Sequence, residues 1–281
     1  MNKASTRLNP SKLTIEPTTR CNFSCVMCVK QAPGNEIENG DLSFNTFTQL
    51  KSVFSGLKNL VFSGIGEPLL HPELEKFVGF AKKRMPEEGR IGLQTNGNLL
   101  DESRLESLLN SGLDEICVSL DAVSAESFKQ IRAGGELGDI EKAFATLKRA
   151  KSMRGQDSFR FGIEFVLMKQ NFRDLPQAVQ WAAENGASFA IVSNLVAYHQ
   201  AAESECMYSP NTNLSLNFYL EWKEKAAALN LDLDSYLKQR WKYHWKYQKT
   251  PEEQALSDFG KEMLKEAYTR QIPLNLSNLM G

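Results

Sequence analysis

The sequence predicts an α/β fold in which a parallel sheet rolls into a partial (β/α)6 barrel, followed by a helical C-terminal extension. Three observations carry this. Short β-rich runs alternate with helix-length amphipathic segments over the first two thirds of the chain, as expected for strand–helix units joined by right-handed crossovers. There are about six such units, short of the eight that close a full TIM-like barrel. The unusual polar sequences fall directly after strands, where parallel α/β folds gather their active sites. A doubly wound open sheet is the competing architecture, and periodicity alone does not separate the two.

In chain order, Leu13-Thr14-Ile15 is a short strand. Ser43 caps a helix running to about Phe54. Leu60-Val61-Phe62 is the second strand, and Pro72 opens a helix reaching about Arg84. Ile91 to Thr95 is the third strand, ended by Asn96-Gly97. A helix follows from Glu102 to Asn110, stopped by Gly112. Glu115 to Leu120 is the fourth strand, and two helical pieces split at Gly134-Gly135 follow it. Phe159 to Leu167 is the fifth strand. Leu175 to Glu184 is a helix with Asn185-Gly186 as its stop signal, and Phe189 to Val192 is the sixth strand.

After Asn194 the pattern changes. Residues 197–213 read as a loop and Asn217 to Leu229 as a helix. Thr250-Pro251-Glu252-Glu253 is a capping box opening a helix toward Tyr268, and Leu274 to Gly281 is strand-like. The expected organisation is a core barrel over residues 11–195 and a C-terminal loop and helical extension over 196–281.

Composition narrows the classes. The chain has 281 residues, 42% of them hydrophobic and 24% charged, which is ordinary for a soluble domain. A net charge of −1 gives no general reason to expect nucleic acid or an anionic membrane. No apolar run approaches the ~20 residues that span a bilayer, and the polar start from Met1 to Thr19 lacks a secretory-type apolar stretch. Five cysteines, three of them clustered, make a poor disulfide framework and suggest a reducing cytoplasm.

Those three lie within eight residues, Cys21-Asn22-Phe23-Ser24-Cys25-Val26-Met27-Cys28, directly after the first strand. A three-thiolate clamp can hold an iron–sulfur cube by three corners and leave one iron open. An open metal position is where chemistry happens, whereas clusters with four cysteine ligands carry electrons. The bland reading is a structural zinc knuckle, but zinc wants a fourth Cys or His nearby, and the nearest histidine, His71, lies in another unit.

The C-x3-C-x2-C spacing resembles the signature of the radical S-adenosylmethionine (radical SAM) family. Ser63-Gly64-Ile65-Gly66-Glu67-Pro68 resembles that family's Gly-Gly-Glu segment, with Ile65 as a departure. Thr95-Asn96-Gly97 and Val118-Ser119-Leu120-Asp121 also sit where members carry them, so the resemblance covers roughly residues 11–195. It implies that Cys21, Cys25 and Cys28 ligate a [4Fe–4S] cluster whose open iron chelates S-adenosylmethionine. It implies reductive cleavage to a 5′-deoxyadenosyl radical, which abstracts hydrogen from a substrate. Gly64, Gly66 and Glu67 are then expected at the methionine amino group, and Ser119 and Asp121 at the ribose hydroxyls. Asn96 would face the cofactor and Met27 the adenine. A flavodoxin or ferredoxin is the implied electron donor.

Each residue has a plainer role to weigh. Glycines after a strand are often only a turn, Asn-Gly is an ordinary turn, and a buried cysteine such as Cys117 is usually a small filler. Cys206 falls on the expected rim and is a candidate hydrogen donor, against an unreactive loop thiol. The basic, aromatic run Tyr236 to Lys249 suits nucleic-acid stacking. Leu237, Trp241 and Trp245 recur every four residues, however, and favour an amphipathic helix.

The Thr18-Thr19-Arg20-Cys21-Asn22 opening and the Gly66-Glu67-Pro68-Leu69-Leu70-His71-Pro72 run resemble the branch that modifies peptides or matures proteins. That branch continues into a cysteine-rich C-terminal domain. No cysteine follows Cys206, so either the domain is absent or the chain stops before it. A peptide or protein substrate is therefore expected first and a small molecule second. A non-catalytic iron–sulfur or zinc module is the third reading.

Overall fold

The computed structural model describes residues 10–206 and 232–235. Seven strands form one sheet: β1 (Lys12–Ile15), β2 (Asn59–Phe62), β3 (Arg90–Thr95), β4 (Glu115–Ser119), β5 (Arg160–Leu167), β6 (Phe189–Asn194) and β7 (Asp232–Ser235). Their spatial order follows the chain order without reversal, and every pairing is parallel. A doubly wound sheet reverses direction at a switch point, so that alternative is excluded. An unreversed parallel order wraps all crossovers onto one side and gives a half-barrel. β7 is an addition: it pairs with β6 at Asp232–Ser235, where the sequence reading placed no strand.

The connecting helices are α1 (Phe44–Thr48), α2 (Lys51–Phe54), α3 (Leu74–Lys82), α4 (Glu102–Asn110), α5 (Ala125–Ile131), α6 (Leu137–Arg154), α7 (Leu175–Glu184) and α8 (Gln200–Glu205). Period-two burial along β2 and β3 shows how the sheet is used, with alternate residues buried toward the helices and half-buried toward the concave side. Leu60, Phe62, Ile91, Leu93, Ile116, Val118, Phe161, Ile163, Phe165 and Val192 form the helix-side core. Phe47 and Phe77 stack with ring centroids 4.4 Å apart in its centre.

Three expectations are corrected. The helix expected from Ser43 to Phe54 is two short pieces. Ser43 does cap α1, its hydroxyl accepting from the Thr46 amide at 3.1 Å. The backbone then tightens to three-residue bonds at Gln49 and Leu50, while Thr48 Oγ1 donates to the Asn45 carbonyl at 2.8 Å. The helix expected from Pro72 starts at Leu74, because His71 Nδ1 accepts from the Glu73 amide at 3.2 Å and holds the chain in a turn. The loop expected over 197–213 contains α8, capped by His199, whose Nδ1 accepts from the Ala202 amide. The helices expected at 217–229 and after Thr250, the strand-like end and the run Tyr236 to Lys249 lie outside the described residues.

Candidate active site

The cysteine loop, the Gly64 to Glu67 segment, Thr95-Asn96-Gly97 and Ser119 to Asp121 lie at the carboxyl ends of β1 to β4 in turn. The cysteine loop leaves β1 and is held on several sides. Arg20 reaches Asp41 through Nε (3.0 Å) and Nη2 (2.9 Å), and Nη2 also donates to the Leu70 carbonyl at 2.7 Å. Lys30 Nζ donates to the Thr19 carbonyl and to Asn39 Oδ1. Within the loop, the Cys28 amide donates to the Cys25 carbonyl at 3.0 Å.

The far side of the loop rests on the turn between α5 and α6. The Ser24 amide donates to the Ala133 carbonyl (2.7 Å) and the Val26 amide to the Ile131 carbonyl (3.0 Å). Phe23 is buried against Gly134 and Gly135. Gly134 has φ +95°, and a Cβ on Gly135 would lie 2.3 Å from the Phe23 ring, so both glycines are required by the seat. The sequence marked this pair only as a helix break.

Cys21, Cys25 and Cys28 are free and half-buried on this loop. Among the described residues, no three His, Cys, Asp or Glu side chains converge tightly enough to hold a single metal ion. A cube asks for something different, since each thiolate binds its own iron. Three free thiols on one partly buried loop suit that donor set.

Burial raises the Cys21 thiol and pushes Cys25 up to about 11, although Arg132 pulls Cys25 back. Arg132 Nη1 lies 3.9 Å from Cys25 Sγ, and its Nη2 lies 2.5 Å from Asp121 Oδ2. Both partners of that ion pair are buried. Asp121 Oδ1 also accepts from the Val166 amide at 2.7 Å. Burial raises the Asp121 carboxyl, offset by Arg132 and the Val166 amide. Burial opposes the Arg132 charge, but Asp121, Cys25 and Glu164 hold its pKa above the usual value. Nothing in the sequence pattern marked Arg132.

The Gly-Ile-Gly-Glu segment is packed against the base of the cysteine loop. A Cβ on Gly66 would lie 2.0 Å from the Thr18 carbonyl oxygen, and one on Gly64 would lie 2.2 Å from Glu16 Oε1. Glu16 Oε1 accepts from the Ile65 amide at 2.6 Å. Glu67 is buried and joins its own turn to the end of β3. Its Oε1 accepts from the Leu69 amide (3.0 Å) and Thr95 Oγ1 (2.8 Å), and Oε2 accepts from the Asn96 amide (2.7 Å). Burial raises its carboxyl, against these three donors. These bonds hold the Gly-Ile-Gly-Glu loop against the end of β3.

Asn96 Nδ2 donates to Asn22 Oδ1 at 2.8 Å, and Asn22 Nδ2 donates to Asn98 Oδ1 at 2.8 Å, tying the end of β3 to the cysteine loop. Ser119 ends β4 and is buried. Met27 is half-buried and packs against the core. Cys117 is buried, which raises its thiol well above the ordinary value. Cys206 follows α8, forms an isolated bridge with Met168, and lies with Sγ 3.8 Å from the Leu195 carbonyl.

The concave side carries a polar belt that the sequence reading missed. Ser63 Oγ donates to Gln94 Oε1 (2.7 Å), Gln94 Nε2 donates to Glu164 Oε2, and Ser193 Oγ donates to Glu164 Oε1 (3.0 Å). The register pairs Ser119 with Glu164, so belt and rim share one face. A carboxylate inside the apolar run Phe161-Gly162-Ile163-Glu164-Phe165-Val166 was the available signal.

A half-barrel with a thiol-rich loop and polar side chains converging on its carboxyl-end rim defines a class of metal-cofactor-dependent enzymes. The chain belongs to the radical SAM superfamily, whose model matches residues 15–182. That family uses a [4Fe–4S] cluster and S-adenosylmethionine. The tungsten-containing aldehyde ferredoxin oxidoreductase cofactor-modifying protein of Pyrococcus furiosus is 30% identical over 210 residues, covering 72% of this chain and 56% of that protein. Fe-coproporphyrin III synthase of Methanosarcina barkeri is 29% identical over 219 residues, covering 77% and 49%. The chain thus spans about half the length of the curated relatives it matches.

Among solved structures, Streptococcus suis SuiB bound to S-adenosylmethionine has a TM-score of 0.60 at 16% identity, covering 80% of this chain and 50% of that one. Native anSMEcpe with bound AdoMet has a TM-score of 0.60 at 20% identity, covering 82% and 65%. These likenesses establish the partial-barrel fold. No helix among the described residues is long and apolar enough to cross a membrane.

Proposed function

We propose that Cys21, Cys25 and Cys28 hold a [4Fe–4S] cluster that binds S-adenosylmethionine, and that the protein abstracts hydrogen from a peptide or protein substrate. The observation that carries this is the three-cysteine loop, half-buried and fixed by main-chain bonds at the rim of the half-barrel. When bound, the cluster and S-adenosylmethionine supply a 5′-deoxyadenosyl radical. The chain's own residues bind, orient and exclude water. In this reading Gly64 and Gly66 bring backbone close to the methionine amine and Glu67 fixes their loop. Ser119 offers its hydroxyl to the ribose, and Met27 lines the adenine side. Asn96 and Asp121 serve through the side chains they hold. A flavodoxin or ferredoxin supplies the electron, and the cytoplasm is the matching compartment. Residues 11–195 are the catalytic core and 196–281 its extension.

The peptide reading is supported by the Thr18 to Asn22 opening and the Gly66 to Pro72 run. A second reading, a small cofactor precursor, is supported by the names of the sequence relatives. They include a cofactor-modifying protein and a probable GTP 3′,8-cyclase of Methanococcus maripaludis. The test is anaerobic reconstitution of the full chain with iron and sulfide, then dithionite and S-adenosylmethionine. The expected result is 5′-deoxyadenosine from the wild type and none from Cys25→Ala. A zinc-loaded or metal-free wild type that releases none overturns the proposal. Stimulation of 5′-deoxyadenosine release by candidate peptides, against cofactor precursors, decides between the substrates.

A further inference from the structure

The pair Asp121–Arg132 is a buried ion pair that packs against the cysteine loop from the α5 side. Arg132 ends the α5 turn and Asp121 follows β4, so the pair is built from the two ends of one strand–helix connection remote in sequence from the thiols. Its geometry is directional. One guanidinium nitrogen faces the carboxylate at 2.5 Å and the other faces Cys25 Sγ at 3.9 Å. A guanidinium remains charged throughout the working pH range and presents a rigid fork, and charges act strongly where water is excluded. Cys25 is set more deeply than Cys21, and Arg132 is the largest influence opposing its desolvation.

We infer that Arg132, held by Asp121, tunes the reduction potential of the cluster through the Cys25 thiolate. This rests on the reading of Cys21, Cys25 and Cys28 as ligands. The potential of an iron–sulfur centre follows its net charge and the hydrogen bonds to its sulfurs. Reduction adds one electron, so a cation beside a ligand thiolate stabilises the reduced form and raises the potential. Asp121 acts with the opposite sign: it anchors the guanidinium and offsets part of its field. The two are tuning and positioning residues.

The experiment is a redox titration of the reconstituted full chain without S-adenosylmethionine, followed by the paramagnetic resonance signal of the reduced cluster. Iron and sulfide content is measured in parallel. Arg132→Gln is expected to shift the midpoint to a more negative value, Arg132→Lys to shift it less, and Asp121→Asn to shift it to a more positive value. General damage to the fold would not give opposite signs. Wild-type midpoints in Arg132→Gln and Asp121→Asn, or shifts of the same sign in both, overturn the inference. If Arg132→Gln loads no cluster, Asp121→Asn decides alone: a positive shift supports the inference, and no shift or a negative one overturns it. A wild type that takes up no cluster is a separate result, which removes the ligand assignment itself.

Discussion

Replacing Gly66 by alanine tests the idea that glycine is needed where the loop after β2 meets the base of the cysteine loop. The added Cβ would lie 2.0 Å from the Thr18 carbonyl oxygen and 2.7 Å from that of Arg20. Both are backbone atoms, so neither can swing away as a side chain would. The loops must separate by about 1.4 Å to restore van der Waals contact. That movement also breaks the 2.8 Å bond from the Glu67 amide to the Arg20 carbonyl. Overpacking costs about 1–3 kcal/mol and the hydrogen bond about 1 kcal/mol, so a loss of roughly 2–4 kcal/mol is expected. At about 2–4 °C per kcal/mol for a chain of this size, the melting temperature should fall by roughly 4–16 °C.

Calorimetry reads the shift, and iron content after reconstitution should fall with it. Two controls separate site from scaffold. Gly162→Ala meets the Phe189 carbonyl oxygen at 2.1 Å near the start of β5, so it should destabilise without lowering iron uptake. Gly138, in α6, has nothing within 4 Å of an added Cβ. Alanine there should stabilise by up to ~1 kcal/mol. A Gly66→Ala protein with wild-type melting and wild-type iron content would refute the reasoning.

Two other substitutions follow from the hydrogen-bond pattern. Glu67→Gln puts an NH2 against the backbone amide of either Leu69 or Asn96, whichever way it is turned, leaving an unsatisfied donor. A loss of about 1–3 kcal/mol in denaturant unfolding is expected, and a change under about 0.5 kcal/mol contradicts the clamp. Glu164 gives a pH signature. Burial raises its carboxyl above the ordinary 4.5, against the Ser193 hydroxyl. A raised folded-state pKa means its contribution is most favourable below the unfolded pKa and declines as pH rises toward the folded one. The melting temperature of Glu164→Gln relative to wild type should therefore increase from pH 5 upward, and a flat or falling difference rejects the assignment.

Some of this molecule was legible because local chemistry decided it. The helix from Glu102 to Asn110 was read to the residue, since Asp101 caps it and Gly112, at φ +103°, ends it. Leu175 to Glu184 was legible from the Asn185-Gly186 stop, and Pro176 in its first turn agrees with that start. The three thiols stood out by their spacing, and the Gly64 to Glu67 segment by its resemblance to a family motif. What escaped depends on contacts between distant units. Arg132 is an ordinary helix-end arginine until folding places it between Asp121 and Cys25. Glu67 was marked as a cofactor residue, but its bonds to Thr95 and Asn96 exist only once β2 and β3 pair. The break at Gln49–Leu50 turned on competition between Thr48, Asn45 and the helix ladder, which propensity alone does not settle.

The Phe23–Gly135 contact also sets an order of events during synthesis. The thiols emerge from the ribosome within the first thirty residues, whereas the turn that seats them is translated more than a hundred residues later. Until that turn arrives, the Ser24 and Val26 amides lack their acceptors, Ala133 and Ile131. On the cluster assignment proposed above, loading follows the arrival of this turn, and nascent fragments ending before Ala133 carry the three thiols without their seat.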